Sequence, residues 1–274
     1  MAISPSRFPL SRRIVFGISV IFVVVLVIWI AAQRHSNEHV IDELGKLKAE
    51  RARNTLTRLD QTGSSIISTD ERLQDDARKE AVVAETSNPL FRRLASAGMR
   101  IQRVNREGKE NLANAFILVS NSGILDHEQA MTVGVSEKGA RQLNLLADAN
   151  ANLRAMGERM DLIARVELAK EGFTPQEQKG YAAVVVQKLH IDILLSQCAL
   201  VDDFVVYARA LLALFENTRT TRTSDTEHRP RFAQEEEVAL YNTLQEKLRL
   251  FDAEYEALER RLVRLVQADV VKAK

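Results

Sequence analysis

A single cysteine, Cys198, stands in 274 residues, which excludes an intrachain disulfide. It leaves the redox compartment open, because a chain without disulfides folds in either. Glycine and proline are scarce, at 11 and 5. Beyond residue 32 the prolines are Pro89, Pro175 and Pro230, and residues 181–274 contain no glycine. With both helix breakers so rare, long helices are expected rather than a β-rich fold. Aromatic residues make up 5% of the chain, too few for base-stacking platforms. No excess of one charge exists either: 38 basic residues face 37 acidic ones, for a net charge of +1. That balance gives no electrostatic reason to expect nucleic acid as a partner. The sequence also lacks a glycine-rich phosphate loop, a serine or cysteine nucleophile in a recognisable setting, and any repeat of fixed length.

What the chain does have is one long apolar run. Residues 14–32, IVFGISVIFVVVLVIWIAA, carry no charge across 19 positions. As a helix they would measure about 28 Å, the thickness of a bilayer core. Trp29 lies near the distal end, where an interfacial ring would sit. Arg7, Arg12 and Arg13 precede the run without an acid, whereas Arg34 is followed by Glu38, Asp42 and Glu43. The positive-inside bias therefore predicts residues 1–13 as a short cytoplasmic tail and the remaining chain on the extracytoplasmic side. The competing reading is a cleaved signal peptide, with Ile30-Ala31-Ala32 as the cleavage site. Its apolar core would exceed the roughly 7 to 15 residues usual for such signals, so an uncleaved single-pass anchor in the cell membrane is expected.

The extramembrane part begins with a polar stretch over 33–67 whose apolar positions are sparse. It reads as a solvated helical stalk. From residue 68 to 274 the pattern predicts a helical bundle domain. Ser68 and Glu71 make a capping box for a helix to about Glu85, and Asn88-Pro89 read as N-cap and first helical residue of the next. Leu90, Leu94, Ile101, Val104, Leu112, Phe116 and Val119 then recur at helical spacing. Residues 121–139 lose that spacing and read as a connection with one short helix. Leu146, Ala149, Leu153, Met156, Met160 and Ile163 mark another helix, ending near Gly172. Thr174-Pro175-Gln176-Glu177 combines a capping box with proline at the first helical position. The helix it opens runs to about Asn217 and is apolar on most faces. Lys188, His190, Asp192, Asp202, Asp203 and Arg209 argue against a second membrane span there and for the centre of a bundle. Residues 218–231 have no apolar residue and read as an exposed loop.

Three groups of residues invite a chemical reading. His35-Ser36-Asn37-Glu38-His39 fits the H-x-x-E-H pattern of inverted zinc peptidases, with two histidines on one helix face and a glutamate base. Nothing else in the chain supports a catalytic fold, so polar residues at a headgroup boundary are the better reading. Asp202-Asp203 inside the apolar helix could mark a ligand site or a proton-linked switch. A satisfied ion pair, with Arg209 two turns on, or an exposed strip explains them as well. His190 and Cys198 read as packing residues, and the Thr/Arg-rich loop as a surface connection. No catalytic, cofactor-binding or metal-binding residue is assigned, and no enzyme activity is expected.

The C-terminal helix, from about Gln234, carries the most regular pattern. Tyr241, Leu244, Leu248, Phe251, Tyr255, Leu258, Leu262 and Leu265 alternate spacings of three and four, a coiled-coil-like seam. In a parallel homodimer Lys247 would meet Asp252 favourably, whereas Glu254 would oppose Glu259. Tyrosines at seam positions also suit a two-stranded zipper poorly. Packing within the chain is therefore expected, with a homo-oligomer left open. The expected fold is all-α, an antiparallel bundle of about four or five long helices on a single N-terminal transmembrane helix. The expected function is interaction: an extracytoplasmic scaffold or assembly protein, holding membrane lipid through 14–32 and engaging a protein partner. The alternative is a sensor domain acting through a separate transmitter. An anchor followed by a helical bundle resembles the ligand-binding domains of bacterial chemoreceptors and sensor kinases in architecture, though no motif carries the likeness and a second span is missing.

Overall fold

A computed structural model of the protein describes residues 43–47, 49–50, 53–54, 57, 69–84, 88–126, 128–131, 134–224 and 230–272. The described chain is all-α. Its helices are α1 (Thr69–Ala84), α2 (Pro89–Ser120), α3 (Val135–Glu158), α4 (Met160–Lys170), α5 (Pro175–Lys188), α6 (Ile191–Asn217) and α7 (Glu235–Lys272), with a 3₁₀ turn at Gln129–Met131. Residues 43–47 are helical too. A two-residue hairpin between α6 and α7 pairs β1 (Thr223–Ser224) antiparallel to β2 (Pro230–Arg231), with Thr223 opposite Arg231.

Local chemistry starts these helices. Asn88 Oδ1 accepts hydrogen bonds from the backbone N–H groups of Leu90 and Phe91 at 3.0 and 3.2 Å, satisfying donors that the first turn of α2 leaves free. At α5 the capping box forms in both directions. Thr174 Oγ1 accepts from the Glu177 N–H at 3.4 Å, and Glu177 Oε2 accepts from the Thr174 N–H at 2.8 Å. Three glutamates, Glu235 to Glu237, occupy the first turn of α7, where the helix dipole favours negative charge.

Two helices expected to be continuous are broken. The helix ending near Gly172 divides into α3 and α4 at Arg159, whose φ and ψ are −95° and 9°. The helix from Pro175 to Asn217 divides into α5 and α6 at His190, the one non-glycine residue with positive φ among the described residues (48°). A left-handed histidine costs about 1–2 kcal/mol, so its surroundings must hold it there. The connection expected over 121–139 is also shorter than its glycines imply, since α3 begins at Val135.

By contact, the described residues fall into two units, each discontinuous in sequence. One comprises 110–153 and 196–257, the other 43–109, 154–195 and 258–272. In the first, Phe116 of α2, Phe204 of α6 and Phe251 of α7 pack as a triangle of rings, with centroids 5.4, 6.0 and 4.8 Å apart. Tyr255 extends it at 5.6 Å from Phe251. These rings fall in the tilted range that aromatic pairs favour. In the second unit, α3 and α6 approach closely at Gly157: a Cβ there would lie 3.2 and 3.3 Å from side-chain carbons of Leu194 and Leu195.

The C-terminal seam is covered by the chain itself. Leu244, Leu248, Phe251, Tyr255 and Leu262 are buried, and Tyr241, Leu258 and Leu265 are half-buried. Glu259, a flanking position of the seam, is buried as well. Of the expected stalk over 33–67 only a few residues are described. Leu44 among them is buried rather than solvated.

Candidate functional site

A charged cluster lies at the C-terminal end of α4. Its carbonyl groups have no intrahelical partners and carry the negative end of the helix dipole, so cations are favoured there. Three arrive. Arg100 of α2 donates to Glu167 Oε2 at 2.7 Å, to the Glu167 carbonyl at 3.3 Å and to Glu171 Oε1 at 2.6 Å. Arg93, two turns earlier on α2, donates to the Glu171 carbonyl at 2.5 Å and stacks over the Phe173 ring at 4.3 Å. Lys170 donates to Glu167 Oε1 at 2.6 Å. Gly172, with φ 76°, then turns the chain in the left-handed conformation common at helix C-termini. Burial alone would raise the Glu167 carboxyl, but the hydrogen bonds from Lys170 and Arg100 outweigh it and hold it below the usual carboxylate range. Both carboxylates are thus engaged by cations. The arrangement fastens a helix end.

A second polar contact joins α3 to α6. Asn150 is fully buried and donates to the Cys198 carbonyl at 2.8 Å and to Asp202 Oδ1 at 2.6 Å. This accounts for one of the two aspartates in the apolar helix. The other, Asp203, is exposed on a strip with Asp192, Ser196, Ala199 and Val206, so α6 is not enclosed on every side. Arg209 donates to Asn144 at 2.7 Å, again across to α3. Cys198 is buried and in no disulfide, and His190 is the half-buried joint between α5 and α6.

The polar segment after α6 is tied down at its base. Thr218 and Arg222 are buried, although the composition there predicts exposure throughout. Arg222 stacks on Phe215, and Phe232 on the far side of the hairpin stacks on Tyr241. The sequence reading missed Arg93, Arg100, Asn150 and Arg222. Arg93, Arg100 and Asn150 meet partners 78, 67 and 48 residues away; Arg222 meets Phe215 nearby in sequence, but nothing local distinguishes it from a surface polar residue.

His35, Glu38 and His39 lie outside the described residues, as does the apolar run 14–32. Among the described residues, no helix is long and apolar enough to cross a membrane. No group of three or more His, Cys, Asp or Glu among them stands together to hold a metal ion. No family model, curated protein or solved structure matches the chain.

Proposed function

We propose that the protein is a membrane-anchored, extracytoplasmic helical interaction protein, a scaffold or assembly factor without catalytic activity. Its helices form an antiparallel bundle carried on the segment 14–32. The observation that carries this reading is the uncharged 19-residue run in the sequence of a chain whose described residues are all-α. Exposed apolar side chains add support. Leu162 and Val166, one turn apart on α4, are 60% and 47% exposed, and neighbouring apolar side chains at helical spacing suit a partner helix or groove. A photo-crosslinking residue at 162 or 166 of the full chain, activated in native membranes, should give a discrete adduct with another protein. The same label at Asp203 should give none. Absence of an adduct from every exposed position would contradict the interaction reading.

A sensor domain is the second reading, and one observation favours it. The left-handed His190 is a strained joint between two helices, the kind of position at which a bistable element can be set. On that reading, His190→Gly, which relieves the strain, alters the output of a transmitter encoded elsewhere. Unchanged output of every candidate transmitter would remove it.

A further inference from the structure

Two helix breaks lie side by side in the second unit. One is Arg159, between α3 and α4, and the other is His190, between α5 and α6. Gly157 brings them together. A Cβ there would meet side-chain carbons of Leu194, Leu195 and Ile191 at 3.2, 3.3 and 3.8 Å, so the last turn of α3 rests on the first turn of α6. Neither break is punctuated as the helix starts at Asn88 and Thr174 are. Arg159 makes no side-chain capping bond, and Gln187 to Ile191 include no glycine or proline. The buried positions keep helical phase across both breaks. Leu153, Gly157, Met160 and Ala164 step by four, three and four, and Val185, Leu189 and Ile193 by four. The local sequence thus encodes two continuous helices where the fold holds four. At the second break a single left-handed residue serves both ends. The His190 N–H donates to the Gln187 carbonyl at 3.3 Å and closes α5, while its carbonyl accepts from the N–H groups of Ile193 and Leu194 at 3.0 and 3.3 Å and opens α6.

Between the breaks, α4 and α5 pack on each other as a hairpin with a closed tip. The Gly172 N–H donates to the Ala169 carbonyl at 2.9 Å, and Gln178 Nε2 donates to the Phe173 carbonyl at 2.6 Å. Helix α2 holds that tip. Arg100 grips Glu167 and Glu171, and Arg93 grips the Glu171 carbonyl and the Phe173 ring. We propose that the hairpin is a hinged arm, with Arg159 and His190 as its paired hinge and Arg93 and Arg100 as its latch. Latched, the arm is bent at both residues. With the latch open, α3 runs into α4 and α5 into α6 as two continuous helices. One break cannot straighten alone, because the two helices share a closed tip and their roots meet at Gly157. The left-handed histidine biases the arm toward straightening, and the charge-assisted bonds of the latch oppose it, which is the balance a two-state element needs. The arm carries the exposed Leu162 and Val166, so its two states present that pair differently. This device needs no transmitter and stands apart from the sensor reading.

The test is the distance between spin labels at Lys179→Cys on α5 and Ala199→Cys on α6, measured by double electron–electron resonance in the full chain carrying Cys198→Ala. Twenty residues of unbroken helix place these sites about 30 Å apart, and any bend shortens that. The chain with an intact latch should give the shorter distance. Arg93→Met with Arg100→Met should add a population at the unbroken length, and residue 190 should then set its size. His190→Ala, which favours helix, should enlarge that population about tenfold relative to His190→Gly and His190→Asn, which accept the left-handed conformation. All three variants remove the imidazole, so the comparison separates backbone preference from loss of the side chain. Arg93→Gln with Arg100→Gln provides the same test should the methionine pair lose its helical circular dichroism. Absence of the longer distance from the latch variant carrying His190→Ala, or populations of equal size in all three residue-190 variants, overturns the proposal.

Discussion

The two units are built from many of the same helices, yet they are held by different means. In the unit formed by 110–153 and 196–257, rings dominate: Phe116, Phe204, Phe251 and Tyr255 form its centre, and Phe215, Tyr241 and Phe232 form a second row. In the unit formed by 43–109, 154–195 and 258–272, charge is prominent. Arg100 ties α2 to α4 through Glu167 and Glu171, and Arg106 of α2 meets Asp76 of α1 at 2.6 Å. Helix α2 passes from one regime to the other within its own length, since its residues to Lys109 belong to the second unit and those from Glu110 to the first. Helix formation therefore does not decide the cohesion. Which side chains a helix presents over each few turns decides it, and the two regimes should respond differently to truncation, acid and salt.

The largest effect is expected in the ring unit. Phe204→Ala removes a fully buried ring from the aromatic triangle and should destabilise the protein by about 3–5 kcal/mol in urea unfolding. Hydrogen exchange should rise first in 110–153 and 196–257. An equal rise in the other unit would mean that the comparison has no energetic content.

Next comes the charged cluster. Arg100→Met keeps much of the side chain's length but removes its donors, and should cost about 1–3 kcal/mol because Glu167 is left with Lys170 alone. The wild type should show the matching pH dependence. The folded Glu167 carboxyl lies below its ordinary value, so its contribution is present at neutral pH. It fades as pH falls from the ordinary glutamate range, about 4.3, through the lower folded value. Arg100→Met should flatten that acid limb, as seen in urea midpoints against pH. An unchanged limb would remove Glu167 from the account.

A smaller loss is expected at the start of α5. Thr174→Ala deletes the capping oxygen and should cost about 1 kcal/mol, with Thr174→Ser restoring most of it. Least of all should follow from Arg249→Ala. Its pair with Glu246 is short at 2.6 Å, but the two side chains are 65% and 53% exposed. The urea midpoint should stay where it is in the wild type, with or without added salt.

The caps at Asn88 and Thr174 were legible in the sequence because a cap is a contract among four neighbouring residues. The seam of α7 was legible because its period is local and long. The break at His190 was not. Gln187-Lys188-Leu189-His190-Ile191 contains no glycine, proline or capping side chain, and tertiary packing must impose a positive φ on a histidine. The start of α3 was misplaced for a related reason. Gly139 reads as loop punctuation, yet it sits inside the helix because a Cβ there would collide with Ile124. The charged cluster was invisible, since Arg100 and Glu167 stand 67 residues apart. The segment 218–231 was misread in part because an arginine looks solvent-bound until the rings that shelter it are in place.

The account rests most heavily on residues 14–32 as an uncleaved anchor, and alkaline carbonate extraction of native membranes tests that directly. On the proposed reading the full-length chain should remain in the membrane pellet, with its N-terminal tail intact, because an uncharged 19-residue run would be long enough as a helix to span the bilayer core. Recovery in the soluble fraction, with a mature N-terminus near Gln33, would contradict it.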